Sequence, residues 1–293
     1  MKNTKAKEGT VRGSDGTPIS YRMVGSGRTI LCFNGIGVAR WIWNPLEEYL
    51  GDRFKIVTWD YRGHGASGDP SRPSKISFSD LVNDAILLVE KLKIRDACFV
   101  GHSSGLHVAL EVIRNRREIA TALISCLGSP GKALESFMDS FIGKFIFDLG
   151  YIFTSLVPEL SPWVERSLLA NPMTYQIGAI LRLTNPAIYG SKEINRYLSH
   201  ISRVGLKTFA NIITTERKSS AMDVVKRLTI PFLIIAAEED KFVPLDVAEE
   251  MKMRAKSARL FVIKRATHAA LFEQPDIFNI LIEDFICNMS EKP

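Results

Sequence analysis

Gly101-His102-Ser103-Ser104-Gly105 places a serine between glycines two positions away on either side. An apolar run, Ala97-Cys98-Phe99-Val100, leads into it, and a helical pattern from Leu106 to Ile113 leads out. The serine therefore sits on a sharp strand-to-helix turn. Small residues are needed there because the turn is strained and the backbones pack closely. A hydroxyl on such a turn points outward at a helix N-terminus, where backbone N–H groups and the helix dipole favour developing negative charge. Ser103 is thus a candidate nucleophile. It needs a base, and the base needs an orienting acid.

Both occur downstream. The apolar run Pro231 to Ala237 ends in Glu238-Glu239-Asp240, and the run Ala258 to Ile263 is followed by Lys264-Arg265-Ala266-Thr267-His268. Each candidate lies just past the C-terminal end of a predicted strand, the edge at which open α/β sheets assemble active sites. Glu238 and Glu239 compete with Asp240 for the acid. His64, His102, His107 and His200 compete with His268 for the base. His102 is adjacent to Ser103 and is expected to point the other way from the turn.

The elements that must hold these residues follow from periodicity. Val11 to Val24 reads as a hairpin turning at Ser14-Asp15-Gly16. Strands are predicted over Thr29–Phe33, Phe54–Asp60, Asp96–Gly101, Thr121–Leu127, from Ile230, and over Arg259–Ile263. Helices are predicted over Trp43–Leu50, Ser79–Lys91, Ser103–Asn115, Leu245–Ala255 and Pro275–Met289. In the second helix Leu81, Ala85, Leu88 and Leu92 share one face, and Ser77 or Ser79 is placed to cap it. Strands alternating with helices imply an α/β fold with a mostly parallel central sheet flanked by helices.

Strand signals stop between Gly128 and Arg227. A structureless loop of that length is improbable, and its content is helical and apolar. Residues 128–227 are therefore read as a helical cap inserted over the active-site edge, with 1–127 and 228–293 forming the core domain. Inside the cap, Phe137, Phe141, Phe145, Leu149 and Phe153 recur every fourth residue, so one broad helix face is apolar. Three outlets are open to such a face: packing on the core, lining an apolar substrate pocket, or weak contact with a membrane surface. Phe141 and Phe145 are the candidates for the pocket. Lys144 and Asp148 interrupt the stretch, and its modest length argues against a transmembrane span. Prolines at 158, 162, 172 and 186 divide the cap into short helices.

Taken in order, five markers resemble α/β-hydrolase-fold proteins over nearly the full chain. They are Asn34-Gly35-Ile36-Gly37, Asp60-Tyr61-Arg62-Gly63-His64-Gly65, the turn around Ser103, the Asp240 loop and the His268 loop. The first is similar to that of intracellular polyhydroxyalkanoate depolymerases and related bacterial esterases. The commoner family pattern there begins His-Gly, so Asn34 is a departure. The resemblance implies a serine nucleophile at Ser103 and His268 as base and then acid. It places the orienting carboxylate at the third position after Ala237, which gives Asp240. Some relatives carry it after the strand that here ends Cys126-Leu127-Gly128-Ser129, where no carboxylate occurs. The backbone N–H groups of Ile36 and Ser104 are the implied oxyanion donors, and His64 has an implied structural role. A serine rather than an aspartate on the turn sets the chain apart from haloalkane dehalogenases and epoxide hydrolases and points to acyl transfer. The expected function is hydrolysis of carboxylic esters with an apolar group, a hydroxyacid ester or short polyester among them. The alternatives are a ligand-binding protein on the same fold, or a C–C bond hydrolase, perhydrolase or acyl transferase using the same residues.

Bulk properties agree with one α/β domain plus an insertion: 293 residues, 46% hydrophobic and 24% charged. Cys32, Cys98 and Cys126 in predicted core strands and Cys287 in the last helix read as buried free thiols in a reducing compartment. The N-terminal residues contain no apolar segment of the secretory kind, so the cytoplasm is the expected location. The net charge of +6 is spread along the chain. Its densest cluster, Arg114-Asn115-Arg116-Arg117, falls at a predicted helix C-terminus, where cations are stabilising, and no nucleic-acid-binding motif accompanies it. No His/Cys/Asp cluster has metal-ligand spacing and no phosphate-cradling Gly-x-x-x-x-Gly-Lys loop occurs. Neither a metal nor another cofactor is expected, and the expected partner is a small-molecule ester.

Overall fold

In the computed structural model, which describes residues 6–70, 75–131 and 192–288, alternating side chains make a sheet with two buried faces. Strand β3 (Thr29–Phe33) turns Leu31 and Phe33 to one side and Ile30 and Cys32 to the other. Strand β5 (Ala97–His102) divides Phe99 from Cys98 and Val100 in the same way. Strands apolar on both faces belong inside a parallel sheet covered by helices, and that is their setting. With β1 (Lys7–Arg12), β2 (Pro18–Val24), β4 (Lys55–Trp59), β6 (Ala120–Cys126), β7 (Phe232–Ala237) and β8 (Ala258–Ile263), they form an eight-stranded sheet in the order β1-β2-β4-β3-β5-β6-β7-β8. The hairpin β1–β2 and the β2–β4 pair are antiparallel, and the remaining pairs are parallel.

Helices cover both faces. On one side lie α2 (Phe78–Lys91) and α3 (Gly105–Asn115); on the other lie α1 (Asn44–Leu50) and the last helix, α9 (Pro275–Asn288). At the start of α2 the Ser77 N–H donates to Asp80 Oδ2 at 2.8 Å, which satisfies one of the orphan donors of a helix N-terminus. Between β6 and β7 the described residues form α4 (Lys192–Val204), α5 (Leu206–Glu216) and α6 (Met222–Arg227) and no strand. Gly131 bridges Ser220, and the Ala221 N–H donates to Pro130 O at 2.7 Å. The chain thus leaves and re-enters the core at one place. Helices α7 (Leu245–Arg254) and α8 (Ala270–Glu273) complete the described set.

Most element boundaries fall within two residues of the sequence reading. Helix α3 starts at Gly105 rather than Ser103 because Ser103 has φ +53°, outside the helical region. Helix α8 has no sequence counterpart: one turn is too short to show periodicity. Cys287 corrects the reading of four buried thiols. Cys32, Cys98 and Cys126 are buried, but Cys287 sits exposed on the last turn of α9. The basic cluster is occupied by neighbours: Arg114 pairs with Asp223 and Glu111, Arg116 with Glu90, and Arg117 donates to Thr229 Oγ1. Among the described residues no helix is long and apolar enough to cross a membrane. Phe137, Phe141 and Phe145 lie outside the described residues.

Candidate active site

The loops after β3, β4, β5, β7 and β8 all open at the C-terminal edge of the sheet, and β5 stands in the middle. Ser103 follows β5 directly. Its N–H donates to Cys126 O at 3.1 Å, and its carbonyl accepts from Leu106 N–H at 3.1 Å and Ser129 N–H at 3.3 Å. These bonds over-determine a left-handed serine that would otherwise relax, a strain of about 1 to 2 kcal/mol. Gly105 is required by close approach: a Cβ there would lie 2.3 Å from Phe33 O. The glycine spacing read from the sequence thus has a steric cause.

Of the candidate bases, the fold brings His268 to Ser103. His268 Nε2 lies 3.1 Å from Ser103 Oγ, and His268 Nδ1 lies 2.7 Å from Asp240 Oδ2. With the proton on Nδ1 donated to the carboxylate, Nε2 presents a lone pair to the serine hydroxyl. Asp240 Oδ1 accepts the N–H groups of Phe242 and Val243, each at 2.8 Å, so both oxygens of this buried carboxylate are satisfied. The rival Glu238 is turned elsewhere and accepts the Arg265 N–H at 2.9 Å.

The loop after β3 is a tight turn. Val38 N–H donates to Gly35 O at 3.2 Å, and Gly37, its third residue, has φ +78°, a sign that type II turns require and glycine supplies without strain. Ile36 is its second residue. Among the described residues, neither the Ile36 nor the Ser104 backbone N–H meets a protein acceptor. Asn34, which stands where the family pattern has histidine, is fully buried. Its Nδ2 donates to Trp59 O at 2.7 Å, its Oδ1 accepts from Trp43 Nε1 at 2.8 Å, and its carbonyl accepts from Tyr61 Oη–H at 2.7 Å. The asparagine is a structural anchor for the turn.

The other histidines have separate places. His64 Nδ1 donates to Arg62 O at 2.9 Å and its Nε2 accepts the Gly37 N–H at 3.2 Å. Burial pushes its pKa down to about 4, with His200 and Arg203 adding to the effect and the Arg62 carbonyl opposing it. His200 Nδ1 donates to Gly37 O at 2.9 Å, and its Nε2 accepts the Gly65 N–H at 3.0 Å. The buried ring of His102 packs 5.6 Å from the His268 ring and 5.9 Å from Phe272, centroid to centroid. Burial, and then His268, hold its pKa well below the usual value. His107 is buried with Glu216, whose Oε2 accepts the Ser104 hydroxyl at 3.2 Å.

Aromatic rings line one side of the site. Phe242 lies 5.0 Å from His268, and Phe272 contacts Trp41 and Tyr197 at centroid distances of 5.6 and 5.9 Å. A cavity of about 950 Å³ is lined by Trp41 and walled by Arg40, Arg196 and Arg203 together with Glu8, Glu47 and Asp60. It does not include Ser103, and its mixed charge does not suit an apolar group. Phe141 and Phe145, the pocket candidates, fall outside the described residues. Sequence reasoning did not foresee the contacts of His200 with Gly37 and of Glu216 with Ser104, since no spacing tells that a distant helix will return to these loops.

The description of the alpha/beta hydrolase family fits residues 30–279 of the chain. The chain belongs to that family. It is 25% identical to 3-oxoadipate enol-lactonase 2 of Acinetobacter baylyi, over 85% of each chain. It is 26% identical to a non-heme haloperoxidase of Rhodococcus erythropolis, over 94% of this chain and 98% of the other. An esterase from Exiguobacterium antarcticum superposes with a TM-score of 0.75 at 17% identity, over 94% of this chain and 98% of that one. The α/β hydrolase fold and a hydrolase assignment stand on these likenesses. At such identities they leave the bond that is cleaved to be argued from the site.

Proposed function

We propose that this α/β hydrolase cleaves carboxylic esters carrying an apolar group, through an acyl-enzyme on Ser103. The observation that carries the reading is the relay from Asp240 Oδ2 to His268 at 2.7 Å and from His268 to Ser103 Oγ at 3.1 Å. In it, His268 Nε2 takes the serine proton as Oγ attacks the ester carbonyl. Asp240 holds the ring and stabilises the imidazolium. The N–H groups of Ile36 and Ser104 receive the oxyanion, each such donor being worth about 3 kcal/mol by single-donor losses. The tetrahedral intermediate collapses, and His268 returns the proton to the departing alcohol. Water then enters by the same route, reversed, and releases the acid.

Phe242 beside His268, and the rings of Phe272, Trp41 and Tyr197 that continue outward from His102, favour an apolar substituent. Residues 128–227 are proposed as a helical cap, with Phe141 and Phe145 adding to the pocket. The serine triad, the oxyanion hole and the cap are one proposal and stand together. The three buried thiols suit a reducing compartment, and the cytoplasm is the proposed location. The enol-lactonase and the esterase among the similar proteins agree with an acyl substrate.

The test is hydrolysis of nitrophenyl esters from acetate to palmitate by the wild type and Ser103→Ala in parallel. Turnover that peaks at one chain length and vanishes in the variant supports the proposal. Turnover that persists in Ser103→Ala, or none above the variant at any length, rejects it. A second reading, acyl transfer to peroxide, uses the same relay and is favoured by the likeness to a haloperoxidase. Peracid formed with hydrogen peroxide in excess distinguishes it.

A further inference from the structure

Both backbone donors assigned to the oxyanion hole are held from behind by side chains of the helices between β6 and β7. The turn that carries Ile36 is gripped at two successive peptides. His64 accepts the Gly37 N–H at 3.2 Å from the core side, and His200 of α4 donates to Gly37 O at 2.9 Å from above. The second ring nitrogen of His200 accepts the Gly65 N–H at 3.0 Å, so one imidazole ties the β3 loop to the β4 loop. The helices also pack on the turn: a Cβ at Gly37 would lie 2.9 Å from the ring of Phe209 on α5 and 3.3 Å from Ile201 on α4.

The other donor has an equivalent hold. Ser104 follows the strained Ser103 and precedes α3. Its hydroxyl donates to Glu216 Oε2 at 3.2 Å, while Glu216 Oε1 lies 3.4 Å from His107 Nδ1. Glu216, the last residue of α5, is completely buried. Burial alone would lower the His107 pKa, but Glu111 and Glu216 outweigh it and raise the value. A buried carboxylate is expensive unless it is hydrogen-bonded, and an apolar side chain would serve packing at lower cost. Its chemistry is explained by what it grips.

We infer that His200 and Glu216 are positioning residues, one for each half of the oxyanion hole, so that seating of α4 and α5 on the core sets the geometry of acyl transfer. The inference rests on the assignment of Ile36 and Ser104 as oxyanion donors. Without Glu216 the residue that follows Ser103 would lose its side-chain hold, and without His200 the Gly35–Val38 turn would lose one of its two histidine grips. Either change moves a donor by a fraction of an ångström. Displacements of about 1 Å cost on the order of a hundredfold in rate.

The experiment compares His200→Ala, Glu216→Ala, Ser104→Ala and the conservative Glu216→Gln, using a nitrophenyl ester and a butyl boronic acid, whose tetrahedral adduct on Ser103 places an oxygen in the hole. Each alanine variant is expected to lower kcat about ten- to a hundredfold with KM within about threefold, and to weaken boronate binding by a matching factor. Glu216→Gln, which keeps an acceptor for Ser104, should recover most of both. Ser104→Ala cuts the same contact from the other side by removing one oxygen, and it decides for Glu216 if Glu216→Ala does not fold. His200→Gln, which keeps a donor and an acceptor, does the same for His200. Folded variants whose kcat and boronate affinity stay within about twofold of wild type, or whose losses fall on KM alone, overturn the inference. Labelling by a fluorophosphonate, with Ser103→Ala as control, separates the two levels. An enzyme labelled at Ser103 whose positioning variants are unaffected refutes this inference alone, whereas absent labelling refutes the reading of Ser103 as the nucleophile on which the proposed function rests.

Discussion

Asp240 Oδ2 lies 2.7 Å from His268 Nδ1, while the other oxygen of the same carboxylate is fixed by the N–H groups of Phe242 and Val243. A carboxylate held at three points can orient an imidazole without moving itself. Asp240→Asn offers an amide to Nδ1 and favours the tautomer whose proton sits on Nε2, facing the serine with a donor. Loss of about 10⁴-fold in kcat is the expected outcome on that account. Glu238→Gln, which disturbs only the contact to the Arg265 N–H, should stay within a few fold. Steady-state kinetics on one ester would decide, and equal losses in both variants would refute the assignment of the acid.

Ser103 combines the reactive hydroxyl with φ +53°. Removing the hydroxyl should abolish turnover and leave the fold, so Ser103→Ala is expected to be inactive with a Tm near that of wild type. Ser103→Gly should be equally inactive but more stable by about 1 kcal/mol, because glycine adopts positive φ without the steric penalty. Thermal unfolding of the two variants measures the strain directly. A glycine variant no more stable than the alanine variant would show that the turn stores none.

How much of this was legible beforehand depended on the range of the interactions. Alternation in Thr29–Phe33 and the glycine pattern around Ser103 are local signals, and the structure bears out the strands and the sheet built on them. The departure at Asn34 was visible as a residue type, but its role needed Trp43, Trp59 and Tyr61, which reach it from three other segments. His200 and Glu216 were beyond sequence reasoning for the same reason. Each lies more than a hundred positions from its partner in the β3 loop or at the turn after β5.

His64 gives the pH dependence of stability a definite sign. Its pKa is held at about 4 in the folded protein, below the ordinary value of 6.5. Above pH 6.5 both states are neutral at this site and it contributes no slope. Between 6.5 and 4 the unfolded chain takes up a proton that the folded protein refuses, so stability falls as the solution is acidified, by about 3 kcal/mol in all. His200, also lowered by burial, acts in the same direction. His107, whose pKa is raised, has already reached its full contribution below 6.5 and does not offset the trend. Urea unfolding from pH 8 to 4.5 should show ΔG falling below 6.5, with a shallower fall in His64→Gln. Identical slopes in the two proteins would remove His64 from the account.

Asn34 tests whether the turn after β3 depends on its anchor. The side chain is completely buried, and Asn34→Ala would strand the Trp43 indole N–H and the Trp59 carbonyl together. Each unsatisfied buried group costs about 1 to 3 kcal/mol, so the variant should unfold at clearly lower urea. Asn34→Asp keeps the acceptor for Trp43 but turns a second oxygen toward Trp59 O, replacing a donor with a repulsion. It is expected to be no more stable than the alanine variant, although its shape is closer to the native one. That ordering distinguishes hydrogen bonding from packing: if shape were what mattered at this position, aspartate would be the milder substitution. Kinetics on the surviving folded fraction adds the functional side, since a loosened Gly35–Val38 turn should lower kcat through the Ile36 N–H while leaving the Asp240–His268 contact intact.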